Sequence, residues 1–569
     1  MNNVFYKGTA YINGKFIETE KTIPVVSVID GTTIGTVSSL SKEDVDLAYE
    51  GAYLAFNLWR NVAPKVRVKK IKEFAENFIK EKELLATIMA YEIGKSYKDA
   101  LTEVERTYKN IYETIEVYER EFIEPTIIGE DVHHVNGKTG YFYNVPIGVV
   151  LAIAPFNYPL NLGLAKIIPS LLVGNTVVFK PATQGSLVCS QLAKYFDQAS
   201  FISGVFNLIT GKGSEIGDYI IENKRIAGAT FTGSTDIGKK IAAKLPMKPI
   251  ILELGGKDAA IVTNNADTKL AAKEIIKGAF SYSGQRCTAI KRVLVTREIA
   301  DELLDHMIKE CLNLKVGSPF DNADVTPLID KKSLDFNLSL INDAVEHGAN
   351  VVYGGTVEGH NLLRHTLIDN VSIKSKLAWE EPFGPILPII RVSTVNEAIA
   401  IANASNYGLQ GSVFTKDIEE ARIIARYLDT GTVNINRSSS RGPDIFPFVG
   451  VKDSGFGVQG IRDSLKAMTR VKGIGISSYG FENGEYYKYQ GTILDWKKET
   501  WKWTNQEIFE NILIMGLRKS EGIDLSIQKN LDAYNHFKNR LNHELIKIEN
   551  NHLKAKNFDL LNEILLDII

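Results

Sequence analysis

The sequence predicts an α/β protein with two doubly wound lobes, and three features carry that reading. Near-continuous apolar runs begin after Pro146 and alternate with helical stretches, a second such series follows Cys287, and 569 residues are too many for one core. Apolar runs of this kind imply strands covered on both faces. Helices between them imply right-handed crossovers in a parallel sheet, an architecture that binds nucleotides at the carboxyl ends of its strands.

The elements follow in order. Residues 10–17 and 23–29 read as short strands, and apolar positions at helical spacing predict helices over 44–58, 66–80, 84–97 and 100–118. Aromatic alternation predicts a strand at 140–144, with the polar Asn136-Gly137-Lys138 as a hairpin turn. The first parallel series is 148–155, 176–180, 205–210, 228–232 and 250–254. The second is 292–296, 349–353, 386–391, 411–415 and 431–435, and two such lobes leave a cleft between them. Beyond Ile476 the composition turns aromatic and charged, and 506–517 and 553–569 read as amphipathic helices, so a boundary falls near Ser478.

Charge and cysteine content exclude several classes. Lys and Arg number 66 against 68 Asp and Glu, which gives no reason to expect nucleic acid or an anionic membrane as the main partner. Three cysteines, Cys189, Cys287 and Cys311, are too few for a disulfide framework or a cysteine-rich zinc module and fit a reducing cytosol. No metal site is expected. With no basic leader and no run near ~18 apolar residues, the expectation is a soluble, cytoplasmic protein.

Cys287 stands in Ser283-Gly284-Gln285-Arg286-Cys287-Thr288, preceded by the glycine-flanked carboxylate of Leu252-Glu253-Leu254-Gly255-Gly256. A thiolate attacks carbonyls, and Arg286 beside it is a candidate to raise the ionised fraction. A buried structural cysteine is the plainer alternative. Asn157, after a buried strand, is placed to donate to an oxyanion, although an isolated Asn-x-Pro more often makes a turn. Lys180 ends a strand, where a ligand role and a solvated cap compete. Phe231-Thr232-Gly233-Ser234 opens a helix whose free amides suit a pyrophosphate, and Gly211-Lys212-Gly213 is a second glycine turn. Each is weak alone as a dinucleotide signal.

Taken together, six motifs resemble the aldehyde dehydrogenase superfamily and fall in that family's order: 154–159, 179–181, 231–238, 252–257, 284–287 and Glu380-Glu381-Pro382-Phe383-Gly384-Pro385. The resemblance covers roughly residues 1–478. It implies an aldehyde dehydrogenase-like fold with a small β oligomerisation element, Cys287 as nucleophile, Glu253 as base and Asn157 as oxyanion donor. Family members that pass the acyl group to coenzyme A typically lack the glutamate, so hydrolysis is implied. Where many NAD-preferring members carry a glutamate three residues past the motif lysine, this chain has Thr183. That implies NADP, with NAD possible. By the same resemblance Lys180, Gly211, Asp218, Gly233 and Ser234 lie along the cofactor, with Glu381 and Phe383 near the nicotinamide end.

Asn157-Tyr158, Arg286 and the segment 437–448 resemble the non-phosphorylating, NADP-dependent glyceraldehyde-3-phosphate dehydrogenase branch. There the phosphate is held by residues that map to Arg106, Tyr158, Arg286 and Arg441, with Arg437 as the other candidate in that loop. Fork-shaped guanidinium donors suit phosphate, while an Arg106–Glu103 helix surface pair is the plainer reading of Arg106. The implied activity is glycolytic oxidation of glyceraldehyde 3-phosphate to 3-phosphoglycerate. Oxidation of another anionic aldehyde, such as succinate semialdehyde, is the alternative, and a haem-binding or scaffold protein is a third. The implied organisation is a dinucleotide-binding domain over 1–118 and 146–252 and a catalytic domain over 253–434, with oligomerisation or bridging elements at 119–145 and 435–478 in a homotetramer. The extension 479–569 resembles the C-terminal part of coproporphyrinogen dehydrogenase-like, haem-chaperone radical S-adenosylmethionine proteins. It carries no cysteine for an iron–sulfur cluster.

Overall fold

The computed structural model describes residues 5–129 and 137–477, together with 523–524, 526, 546–549 and 552–555. Two large sheets dominate residues 5–477. In the first, β1 (Val149–Ala154), β2 (Thr176–Pro181), β3 (Phe206–Leu208), β4 (Ile226–Thr232) and β5 (Ile250–Glu253) run parallel in the order β5-β4-β1-β2-β3. Antiparallel strands close both edges, Gly455–Phe456 beside β5 and the hairpin Ala10–Ile12 with Lys15–Ile17 beside β3. The order reverses between β1 and β4. Crossovers leave in opposite directions there and open a crevice at the strands' carboxyl ends, where ligands of doubly wound sheets bind.

The second sheet contains β6 (Asp258–Val262), β7 (Ile290–Thr296), β8 (Thr366–Asp369), β9 (Ile386–Val392), β10 (Gln410–Phe414) and β11 (Thr432–Ile435). They run parallel in the order β8-β9-β7-β6-β10-β11, with Asn350–Tyr353 antiparallel at the β8 edge. Its inner strands are buried on both faces. Ala259 and Ile261 of β6 enter one apolar cluster while Ala260 and Val262 enter the other, which is why the sequence is apolar without alternation.

Four helices position the site: α1 (Tyr97–Glu121), α2 (Pro159–Leu172), α3 (Thr235–Lys244) and α4 (Thr268–Phe280). The predicted helix over 84–97 ends at Ile93, because Gly94 takes a left-handed conformation at its cap. The strands that the sequence expectation lacked include β6, β8 and Thr33–Ser38. Only Leu254–Gly255–Gly256–Lys257 separates β5 from β6, so one apolar stretch supplies a strand to each sheet and carries the chain across the cleft.

The predicted strand at 140–144 is part of Lys138–Pro146, which pairs antiparallel with Thr126–Ile128 and Thr469–Ser477. Of its turn, Gly137 has φ 67°, and Asn136 lies outside the described residues. Among the described residues no helix is long and apolar enough to cross a membrane.

Asn61–Val66 and Phe481–Ile569 group as a second compact unit. The described part of the extension is a small antiparallel sheet of Ile523–Asp524, Ile546–Glu549 and His552–Ala555. Leu553–Ala555 is thus strand where a helix over 553–569 was expected. The alternation of Ile546 and Ile548 with Lys547 and Glu549 gives its partner strand a period of two, and pairing overrides local helical spacing. The expected helix at 506–517, and the stretch carrying the radical-enzyme resemblance apart from Ile523, lie outside the described residues.

Candidate active site

The first lobe delivers its candidates from strand ends. Asn157 follows β1, Lys180 is the penultimate residue of β2, Gly233 and Ser234 follow β4, and Glu253 ends β5. The β4–β5 register sets Thr232 beside Glu253, and the Thr232 hydroxyl donates to Glu253 Oε2.

Cys287 is delivered by a tight loop after α4. Tyr282, Ser283 and Gly284 take φ of 51°, 53° and 68°, and bonds from Tyr282 Oη to the Ile93 carbonyl at 3.2 Å and Ser283 Oγ to the Thr326 carbonyl at 2.8 Å hold that unusual backbone. A Cβ on Gly284 would sit 2.3 Å from the Gly384 carbonyl oxygen, and one on Gly256 would sit 2.9 Å from that of Cys287. Glycine at these two positions therefore lets the 380–385 and 252–257 motifs close on the cysteine loop. Asn157 Nδ2 donates to the Gln285 carbonyl at 2.8 Å, joining β1 to the same loop. One Nδ2 proton stays available.

Cys287 is partly exposed, whereas Cys189 and Cys311 are buried. Burial pushes the Cys287 thiol up to about 11, with Lys291 opposing and Glu253, Glu381 and Asp258 adding to the rise. The cation acting on the thiol is Lys291, not the expected Arg286. Lys291 Nζ bonds the Cys287 carbonyl and lies 3.2 Å from Glu381 Oε1. Arg286 turns away onto the end of α4, donating to the Gly278 carbonyl at 2.5 Å and that of Ser281 at 3.3 Å.

Glu253 sits 5% exposed at the head of a line of alternating charges. Lys166 Nζ of α2 contacts Oε2 at 2.9 Å and Arg441 Nη1 contacts Oε1 at 2.7 Å. Arg441 Nε is 3.8 Å from Asp444 Oδ1, and Arg106 of α1 grips Asp444 with Nη2 at 2.8 Å and Nε at 2.9 Å. With its amide turned so that both ends are satisfied, Gln459 donates through Nε2 to Glu253 and accepts through Oε1 from Arg441 Nη2 at 3.1 Å. Burial alone pushes the Glu253 carboxyl up, but Arg441, Lys166 and the Thr232 hydroxyl outweigh it and hold the group at about 2. Burial draws the Lys166 ammonium down more than Glu253 lifts it.

Two of the expected phosphate ligands, Arg106 and Arg441, thus converge on Asp444. Tyr158 is close enough to act electrostatically on Arg106, and Lys95 lies 3.6 Å from the Tyr158 ring centroid. The Arg106–Glu103 pair is not formed, because Glu103 instead pairs with buried Lys95 and accepts from the Leu160 and Asn161 amides at the start of α2. Arg437 is exposed. Of the two candidate arginines in that loop, Arg441 is the one that faces Glu253 and Asp444.

A nucleotide fits the remaining residues. Lys180 is 6% exposed, its Nζ donates to the Pro181 carbonyl at 2.9 Å, and among the described residues no carboxylate bonds it. Burial pulls this ammonium down to about 8, so an anion arriving there would stabilise its charged form. Thr183 is half-buried nearby in sequence and adds no negative charge. The α3 N-terminus at Ser234 carries no side-chain cap, leaving amides for a diphosphate, and Gly233 precedes it. Gly211 is buried at a φ of 158°, while Asp218 is exposed on the helix Gly213–Ile221. Glu381 Oε1 accepts from the Gly256 amide at 3.0 Å, and Phe383, at φ 46°, packs its ring 5.8 Å from that of Phe156.

Sequence reasoning missed Lys166, Thr232, Gln459, Asp444 and Lys291. Lys166 had a readable signal, being the one charge in the apolar run Pro159–Leu172. Thr232 and Asp444 lie inside the singled-out segments 231–238 and 437–448 without their pairing being readable there, and nothing local distinguishes Lys291 or Gln459.

The profile of the aldehyde dehydrogenase family matches residues 16–474. The chain belongs to the aldehyde dehydrogenase family. Among named relatives it is 46% identical over 462 residues to the NADP-dependent glyceraldehyde-3-phosphate dehydrogenase of Streptococcus equinus, covering 81% of this chain and 97% of that one. It is 42% identical over 469 residues to the protein of the same name from Arabidopsis thaliana, covering 82% and 94%. A crystal structure of the NADP-dependent glyceraldehyde-3-phosphate dehydrogenase of Bacillus halodurans, complexed with NADP, superimposes with a TM-score of 0.81 at 45% identity, over 83% of this chain and 99% of that one.

Proposed function

We propose that this protein oxidises glyceraldehyde 3-phosphate to 3-phosphoglycerate with NADP, through a thioester on Cys287 that water hydrolyses. The observation that carries this reading is the convergence of Arg106 and Arg441 on one carboxylate beside Glu253, a pair of guanidinium forks at the distance scale of a phosphate group. The relatives named above, matched over nearly their whole length, support it.

The residues divide the chemistry. Cys287 gives its proton to solvent water and its sulfur bonds the aldehyde carbon, and Asn157 with the local backbone donates to the oxygen that becomes negative. Arg106, Arg441 and Tyr158 hold the far phosphate, with Arg286 joining them if it swings from the end of α4. NADP supplies the hydride acceptor when bound. Lys180 and Thr183 hold its adenosine phosphate end, Gly211, Asp218, Gly233 and Ser234 its middle, and Glu381 and Phe383 the nicotinamide end. Glu253 then takes a proton from water, the resulting hydroxide attacks the thioester carbon, and the Cys287 thiolate leaves as the acid forms.

In this reading residues 1–118 and 146–252 bind the nucleotide and 253–434 carry the nucleophile. The hairpin strands within 119–145 and 435–478 join subunits of a cytoplasmic homotetramer. The test compares kcat/KM for glyceraldehyde 3-phosphate, glyceraldehyde and succinate semialdehyde with NADP and with NAD. A preference for the phosphorylated aldehyde with NADP is expected, and equal rates on all three would reject the assignment. Cys287→Ser should lower oxidation by about 10³-fold or more while NADP still quenches protein fluorescence.

A further inference from the structure

Resting on that proposed reading, we infer that the substrate's phosphate group switches on thioester hydrolysis by drawing Arg441 away from Glu253. An ionised carboxylate offers about four lone-pair sites, and Glu253 is met by Lys166 from α2, Thr232 from β4, Gln459 from the short strand Val458–Gln459, and Arg441 from the loop after β11. No site is left for the proton of an attacking water. A carboxylate ringed by two cations is also a feeble base, since its proton affinity is spent on those charges.

One donor must therefore leave, and the four are not equally free. The Lys166 side chain is 0% exposed, Thr232 is fixed in a central strand, and Gln459 is 1% exposed. Arg441 is 18% exposed, lies in irregular chain between β11 and Phe448–Val449, and is followed by Gly442 at a φ of 121°. It is also the one donor with an alternative anion, Asp444, already on its far side.

A phosphate dianion entering between Arg106 and Arg441 carries more negative charge than the single Glu253 carboxylate, and both guanidiniums would turn to it. Glu253 then keeps Lys166, Thr232 and Gln459 and gains an open site for water, with Cys287 as the other titrating group it faces. Loss of one opposing charge raises its proton affinity. An aldehyde without phosphate would leave Arg441 in place and its thioester would hydrolyse slowly. Hydrolysis is thus tied to occupancy by a correct substrate, which discriminates after the acyl step as well as before it.

The experiment isolates hydrolysis from oxidation. Cys287 is acetylated with p-nitrophenyl acetate, the thiolate displacing p-nitrophenolate, and loss of the acetyl group as acetate is followed by intact mass with and without inorganic phosphate. Phosphate should accelerate acetyl loss roughly tenfold and move the acid limb of its pH profile upward. In Arg441→Ala acetyl loss should be fast without phosphate and insensitive to it, whereas a residue that merely clamps substrate would leave the phosphate-free rate unchanged. Steady-state competition between phosphate and glyceraldehyde 3-phosphate is measured in parallel on the wild-type enzyme. If phosphate competes with substrate yet leaves acetyl loss unchanged or slower, the switch is wrong and the substrate assignment stands. If phosphate neither competes nor accelerates, the substrate assignment itself falls and takes the switch with it.

Discussion

Two lysines buried in the same lobe are treated in opposite ways. Lys166, deep in α2, is paired with Glu253 at 2.9 Å, while Lys180, at the end of β2, has a backbone carbonyl and, among the described residues, no bonded carboxylate. A buried charge with partners on every side is held by the fold. A buried charge without a counter-ion is an unsatisfied cost that a ligand can relieve. The comparison separates groups the protein has already neutralised from groups kept open for an anion, and it points to the β2 end of the crevice for the nucleotide phosphate and the β5 end for the reaction.

The sharpest way to break this comparison is at the paired end. Glu253→Gln removes the base but keeps the shape, so hydrolysis should fall by about 10³-fold while one equivalent of NADPH still forms in a burst. A loss of the burst as well would place Glu253 in the first step. Next in size, Lys166→Met leaves Glu253 and Arg441 with one charge fewer around them, and unfolding free energy at neutral pH should drop by about 3 kcal/mol in denaturant titration. Because the folded carboxyl is depressed to about 2 from its ordinary 4.5, the stabilisation from Glu253 is fully present above pH 4.5 and fades as pH falls through 2.

Lys180→Met, the mildest change, should act in the opposite sense. Its ammonium is depressed to about 8 from an ordinary 10.5, so the fold carries the cost of the buried charge below pH 8 and sheds it as pH rises toward 10.5. The Met variant should therefore melt higher than wild type at pH 7, with the gap closing near pH 10, while its NADP affinity falls about tenfold and its NAD affinity changes less. If Lys180→Met instead lowers the melting temperature, the lysine has a partner and the contrast with Lys166 collapses.

How much of this was legible depends on what kind of signal a residue carries. Glu253, Cys287 and Asn157 were readable because they sit in contiguous motifs whose glycines and prolines fix a local backbone. Lys180 and Ser234 were readable because they end apolar runs. The partners of Glu253 were not, since Lys166, Thr232, Arg441 and Gln459 come from four separate elements, and their meeting depends on the β4–β5 register and on the packing of α2. Arg286 shows the opposite failure, for a cation adjacent in sequence to Cys287 points away while Lys291, four residues on, reaches back to the Cys287 carbonyl.

By itself the sequence determined the lobes, the strand ends and the candidate nucleophile, because periodicity and composition are local and survive without contacts. Which cation neutralises which carboxylate, and which is left waiting, only the tertiary structure decided. Charges interact through space over a few ångströms, and chain order holds no record of those distances.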